Sequence, residues 1–574
     1  MTERGGDGPT SAGAALAADP DEKREGKLVR TRWILALLLT LLSTGIVVGA
    51  FNPAPHTGGD NAGYLALAYS LLTTGNYTEV FDPAGLPHTK YPPVFPLLLA
   101  GLMAGGVRSW AGFKALAAVA TVLTSLASYL WAERRIGPVW AFGVSVLVSL
   151  SSAVVYYSHW ILSDPLFVAF TLASLWALER SDAGASRWTV VGIVAAGLAY
   201  FTRSAGLPLL VAVGGWLLLR RRWKASGVAA VVLGVPLTLW LVRSRAAAGD
   251  YMSEFWLVNP YDPAAGTVGV GGLMERLLAN GEGYVGAHLP SGIVGGGGFA
   301  VTVLGVAVVA LALTGWVRAA RKSIGMTELF LPLYAGLILL WPEVWSGDRF
   351  ALPLYPVLFM YAASTLRGLT RRMGPRVVSL AGACAFLVLA LPALGSWVRV
   401  VQEAQACGAR IRTAGSFSCY GPRVEAFVDA AGWAADNLPD GSAVLSRKPR
   451  LFFVLSGVPS RTFPFSGEPE VQLAGAKAVG ASYVLLDEWD ALAGRYVGAA
   501  VQARPEAFCV VRTFGAAGRT LLLGITPDRQ GGVGDREGAG VLLNPCPASY
   551  GDRDGTSRYS SASTTIPMLA GLDP

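Results

Sequence analysis

The chain has 574 residues, of which 53% are hydrophobic and only 15% charged, with a mean hydropathy of +0.46; that balance belongs to a bilayer protein, not a soluble enzyme. The formal charge of +8 comes as short basic clusters between apolar runs, which orient membrane spans and do not form the basic face that nucleic acid requires. Five cysteines without a CxxC pair exclude a disulfide scaffold and argue against a structural zinc finger.

Residues 1–31 are polar and read as a cytoplasmic N-terminus. The apolar run from Trp33 to Phe51 that follows is long enough to cross, because about 20 helical residues span the hydrocarbon core. A signal peptide has a shorter apolar core, so this run reads as a retained span, with cleavage after Ala50 as the competing reading. Further apolar runs lie near 115–132, 138–157, 165–178, 188–201, 205–219, 226–242, 299–317, 327–342, 350–366 and 377–396. The expectation is an all-α polytopic membrane domain of about eleven spans over residues 32–396.

Charge decides whether Trp188 to Leu219 is one bent span or two short ones. With two, Arg24 to Arg32, Arg134-Arg135, Arg220 to Lys224, Arg318 to Lys322 and Arg367 to Arg376 all face the cytoplasm, as the positive-inside rule asks. With one, the later clusters swap sides. The two-span reading leaves residues 52–112, 158–164, 243–298, 343–349 and everything after about 397 outside. Loops this long are usually functional or disordered.

Within the large first outer loop, 52–112, Tyr64, Leu67, Ala68 and Leu71 recur on one helical stripe, which predicts an interfacial helix ending near Gly75. A second apolar piece, to about Gly106, reads as another. Beyond 397 the composition changes. An amphipathic helix over Arg423–Leu438 and strands at Ala443–Ser446, Tyr483–Asp487 and Leu521–Ile525 predict a small outer α/β domain over 397–526. Residues 527–574 are rich in Gly, Asp and Ser, and partial disorder is expected there. Cys407, Cys419, Cys509 and Cys546 can pair on an oxidising face in three ways, Cys407 with Cys419 being the first choice; free buried thiols are the other reading.

Four motifs then carry a resemblance. An Asp soon after the first span, Asp60, precedes a Tyr-containing surface helix and the segment Lys90-Tyr91-Pro92-Pro93-Val94-Phe95-Pro96-Leu97-Leu98. Leu162-Ser163-Asp164-Pro165, Phe201-Thr202-Arg203-Ser204 and Arg349-Phe350-Ala351-Leu352-Pro353 follow in order. Over about residues 30–366 the chain resembles the GT-C superfamily of polyprenyl-phosphate-sugar transferases, in particular the protein mannosyltransferase (family 39), aminoarabinose transferase and Rgt-like groups. It departs from their pattern at Asp60-Asn61, where an Asp-Glu pair is often found, and that departure weakens the case for a two-carboxylate metal site.

The resemblance implies a glycosyltransferase of the cell membrane, moving a hexosyl or pentosyl group from a polyprenyl-phosphate donor to a lipid, polysaccharide or protein acceptor outside. It makes Asp60 the base of a single inverting displacement and Asp164 a second catalytic carboxylate, which could position the acceptor. Lys90, Arg203 and Arg349 become the cations on the donor phosphate. Read without the resemblance, Asp60 is a helix N-cap, Lys90 a snorkelling lysine, Arg203 a structural ion pair, Asp164 a cap or cation ligand, and Arg349 a partner of Asp348. No cofactor is required, and a divalent cation remains open. The four histidines, His56, His88, His159 and His288, all fall outside but lack a metalloprotease-type spacing. The rival functions are a transporter or flippase of lipid-linked precursors, which intramembrane Arg203 and Asp164 would serve, and an assembly protein. No inverted repeat supports the former. Without a Walker A motif the energy must arrive in the donor.

Overall fold

A computed structural model describes residues 20–181, 186–245, 251–516, 518–526, 543–547, 550–551 and 566–569. Helices occupy each of the apolar runs. Five of them, Val29–Gly49, Trp110–Ile136, Trp223–Ser244, Phe299–Lys322 and Pro375–Ala414, are individually long and apolar enough to cross a membrane. Others, such as Pro138–Leu150 and Met326–Leu339, are apolar but shorter. The chain is a multi-pass membrane protein by this composition.

The sidedness of the helices explains their residues. Trp33, Leu37, Leu41, Leu239, Leu380 and Leu391 are exposed, as lipid-facing positions must be. The buried seams carry small hydroxyl residues instead: Ser43 and Ser149 each meet the hydroxyl of Ser125, at 3.1 and 2.8 Å. In lipid there is no water-driven attraction between helices, so close packing and such hydrogen bonds hold the bundle. The segment 188–219 is two helices, Ser186–Thr202 and Leu207–Leu219, separated by a 3-10 turn at Ser204–Gly206. The break falls at Arg203, whose backbone is extended.

Two short helices of the first loop, Gly59–Thr74 and Val94–Ala104, lie side by side. The first ends at Gly75, whose φ of 68° suits a glycine and stops the helix. The stripe expected on this helix understates its burial. Asn61 to Ala68 are buried without interruption, because the C-terminal α/β domain covers the side that a surface helix would show to water.

That domain has a five-stranded sheet of order β2-β1-β3-β5-β4, formed by β1 (Val444–Leu445), β2 (Ser460–Arg461), β3 (Tyr483–Leu486), β4 (Phe508–Phe514) and β5 (Thr520–Ile525). β1 is parallel to both neighbours, whereas β5 is antiparallel to β3 and β4. The expected helix is present as Pro422–Asn437, as are the three expected strands. β2, β4 and the helices Pro449–Ser456 and Pro469–Ala478 were not legible in the sequence. Helix Pro375–Ala414 continues unbroken past residue 397. Disulfides join Cys407 to Cys419 and Cys509 to Cys546, and the second ties part of the 527–574 segment to β4. Ile566, Met568 and Leu569 from the same segment are buried against the helix-rich core; the remainder of that segment, where disorder was expected, lies outside the described residues.

Candidate active site

The site forms where four chain segments meet at one end of the helix bundle. Helix Asp164–Ser181 begins with Asp164; the break after Thr202 presents Arg203; the 3-10 turn Asp348–Ala351 presents Arg349; and the first turn of helix Gly59–Thr74 presents Asp60. Arg349 joins them. Its Nη1 donates to Asp60 Oδ2 at 2.7 Å, while its Nε and Nη2 donate to Asp164 Oδ2 at 3.1 and 3.0 Å. Arg203 Nη1 donates to the same Asp164 oxygen at 2.9 Å, and its guanidinium lies over the Phe350 ring at 5.1 Å.

Two of the competing bland readings fail on geometry, those of Asp60 and Arg349, whereas Arg203 does form an ion pair, with Asp164. Asp60 caps nothing: the N-cap is Gly58, without a side-chain cap bond. Arg349 does not pair with Asp348, which accepts a hydrogen bond from Tyr157 Oη at 3.1 Å instead. Lys90 is not drawn into the cluster; its ammonium is paired with Glu254 from helix Tyr251–Phe255. Four of the five expected residues thus come together and the fifth stands beside them.

The two carboxylates differ in access. The Asp164 side chain is 4% exposed and Asp60 36%, so of the two only Asp60 can meet a substrate. Burial alone would push the Asp60 carboxyl up. The Arg349 charge, the hydrogen bonds from Tyr91 and Arg349, and the Arg450 charge outweigh it and hold the group well below the usual carboxylate range. Burial opposes the charge on Arg349 too, but the flanking Asp164 and Asp60 keep it firmly cationic.

Two residues of the site, Tyr91 and Arg450, were not assigned from the sequence. Tyr91 Oη donates to Asp60 Oδ1 at 2.6 Å, and Arg450 of the C-terminal α/β domain donates to that Tyr91 hydroxyl. Gly63 makes this approach tolerable, since a Cβ there would stand 3.0 Å from Arg450 Cδ and 3.1 Å from Tyr91. The loop that carries Tyr91 is pinned in turn. His88 Nε2 accepts from Tyr91 N at 2.8 Å while its Nδ1 meets Glu79 Oε1 at 2.8 Å. Arg243 donates to the carbonyls of His88 and Tyr77, and Arg461 holds Asp82 through two hydrogen bonds of 2.6 Å. The one sequence signal for Arg450 was the basic run Arg447-Lys448-Pro449-Arg450 at the end of a strand.

Among the described residues no three His, Cys, Asp or Glu side chains gather as a metal site. His88 is occupied as above, and His56 Nε2 meets the His159 carbonyl at 3.1 Å. Between Asp60 and Asp164 stands the Arg349 guanidinium, with Arg203 adjoining. A divalent cation there would have to displace one fixed charge and sit beside another, so these residues do not fit it.

No protein-family description matches the chain, and no curated protein does. Among solved structures it is similar to the oligosaccharyltransferase of Archaeoglobus fulgidus in complex with Zn and sulfate, at 16% identity and a TM-score of 0.54 over 84% of this chain and 72% of that one. It is also similar to ArnT from Cupriavidus metallidurans. In the apo state that protein matches at 13% identity and a TM-score of 0.50, over 87% of this chain and 98% of that one. Bound to undecaprenyl phosphate it matches at 13% and 0.51, over 86% and 97%. What the chain shares with them is the GT-C fold.

Proposed function

We propose that the protein transfers a hexosyl or pentosyl group from a polyprenyl-phosphate donor to an acceptor at the outer face of the cell membrane, by one inverting displacement. The observation that carries this reading is the Asp60–Arg349–Asp164–Arg203 cluster, set at the end of a bundle with the GT-C fold. The undecaprenyl phosphate bound by ArnT supports the donor class. The topology that goes with it has the N-terminus inside, about eleven spans over 32–396, and the domain 397–526 outside.

In the reaction an acceptor hydroxyl attacks the anomeric carbon, whose bond to the phosphate oxygen breaks. The electron pair leaves with the phosphate, and the hydroxyl proton passes to Asp60. As it stands Asp60 is a poor base, because Arg349 and Tyr91 stabilise its charge. A donor phosphate competes for Arg349, and as Arg349 turns to it the Asp60 carboxylate recovers basicity at the moment it is needed. Asp164 is too buried to meet the acceptor and acts as a positioning residue, holding both guanidinium groups in place for the leaving phosphate. Lys90 adds a further cation once Glu254 releases it.

The test is Asp60→Asn in purified protein. Transfer should fall by about 10³-fold or more, consistent with loss of a base, while polyprenyl-phosphate binding is retained or tightens, because the substitution removes the charge that competes for Arg349. Turnover close to that of the wild type would remove Asp60 as the base. The arrangement also predicts that transfer survives exhaustive EDTA treatment.

A further inference from the structure

The outer domain meets the site with the carboxyl ends of its parallel strands. After β1 the chain runs through Arg447, Lys448 and Arg450 into helix Pro449–Ser456; after β3 it runs through Asp487, Trp489 and Asp490. The connection after β1 leaves toward β2 on one side, and the connection after β3 leaves toward β4 on the other. The outer ends of such strands form a crevice where ligands collect.

The cations around this crevice and the Asp60 cluster are nearly all committed. Arg203 and Arg349 are paired with Asp164 and Asp60, and Lys90 with Glu254. Arg447 is paired with Asp490 at 2.7 Å. Arg450 donates to Tyr91 and lies against the rings of Tyr91 and Phe81. Lys448 is different. It is half-buried, sits 5.5 Å from the centroid of the Trp489 ring, and among the described residues has no side-chain hydrogen bond and no carboxylate at ion-pair distance. Asp487, buried at 3% exposure, leaves Oδ2 without a partner, yet does not reach Lys448. Arg450, two residues further on, donates to the Tyr91 hydroxyl that holds Asp60, which sets Lys448 at the edge of the same cluster; burial and the Arg447 charge weaken the proton's hold on Lys448, while Asp490, Asp487 and Asp60 strengthen it.

We propose that Lys448 is a binding residue of the active site for an anionic oxygen group of a substrate, a phosphate or a carboxylate. A half-buried ammonium without a counter-ion is costly unless a ligand completes it. The helix that starts beside it, with no side-chain cap on its first turn, adds a favourable field for the same charge. The anion has two sources, the phosphate of the lipid donor or an acidic group on the acceptor. This inference rests on the reading of the Asp60 cluster as a transfer site.

The experiment uses the full chain in lipid nanodiscs, as wild type, Lys448→Gln and Lys448→Arg. It measures the Kd for undecaprenyl phosphate, the acceptor KM for transfer in envelope membranes, and the thermal midpoint. About tenfold weaker undecaprenyl phosphate binding in Lys448→Gln, largely restored in Lys448→Arg, supports the inference and assigns the anion to the donor. An unchanged Kd with an acceptor KM raised about tenfold supports it and assigns the anion to the acceptor. Unchanged Kd and KM overturn it, as does a lowered midpoint with no change in either, which marks Lys448 as structural. A failure of the transfer reading looks different: the wild type moves no sugar, yet Lys448→Gln still loses undecaprenyl phosphate.

Discussion

At the scale of single residues, the site is an arrangement of charges that hold one another until a substrate intervenes. Arg349 serves two carboxylates, Asp60 and Asp164, and Lys90 is held by Glu254. The Asp60–Arg349 and Glu254–Lys90 pairs must open for a phosphate to be bound, so each lowers apparent affinity while it protects the buried charges. Replacing Glu254 with Gln should therefore free Lys90 and tighten donor binding about three- to tenfold, as measured by titration with undecaprenyl phosphate. Weaker binding would show instead that Glu254 positions Lys90 for the phosphate. His88 gives a second residue-level expectation. Burial, opposed in part by Glu79, lowers its pKa from 6.5 to about 4, so it is neutral in the folded protein. The unfolded chain takes up the proton first as pH falls, and stability is lost through the window from about 6.5 to about 4, by about 3 kcal/mol. The thermal midpoint should fall over that window, and His88→Asn should flatten the slope.

Among the elements, the decisive packing is the helix Gly59–Thr74 held between the bundle and the C-terminal α/β domain. The composition of this helix was legible, and so was its end at Gly75. The uninterrupted burial of Asn61 to Ala68 was not, because the covering residues come from positions 426–455, nearly 400 residues later in the chain. For the same reason Asp60, Asp164, Arg203 and Arg349 could be chosen from short motifs, whereas Arg450 and Glu254 could not: no local pattern marks a residue that acts from another element. β2 is only two residues long and has no alternation to read. Gly63→Val tests the packing. The added side chain meets Arg450 and Tyr91, so it should cost roughly 1–3 kcal/mol of stability and displace Tyr91 from Asp60. Unchanged stability with full transfer activity would show that this contact positions nothing.

For the whole molecule, charge pattern and hydropathy together led to a helical membrane domain with an added α/β domain, and the fold agrees with both. Buried ion pairs mark the two ends of the bundle: Asp164 begins the helix whose other end carries Glu179, which pairs with Arg135 at 2.6 Å. The proposed topology puts the Arg135 end inside and the Asp164 end outside. A cysteine introduced between Arg220 and Lys224 should then resist membrane-impermeant labelling in intact cells, and ready labelling would reverse the assignment. The central claim, transfer from a polyprenyl-phosphate sugar, is tested most directly by mass spectrometry of envelope lipids. The comparison is between the parent, a strain lacking the protein, and that strain carrying Asp60→Asn. One polyprenyl-phosphate sugar should accumulate in both altered strains while an envelope acceptor loses the matching sugar mass. Lipid-linked sugars and envelope glycans identical in all three strains would contradict the account.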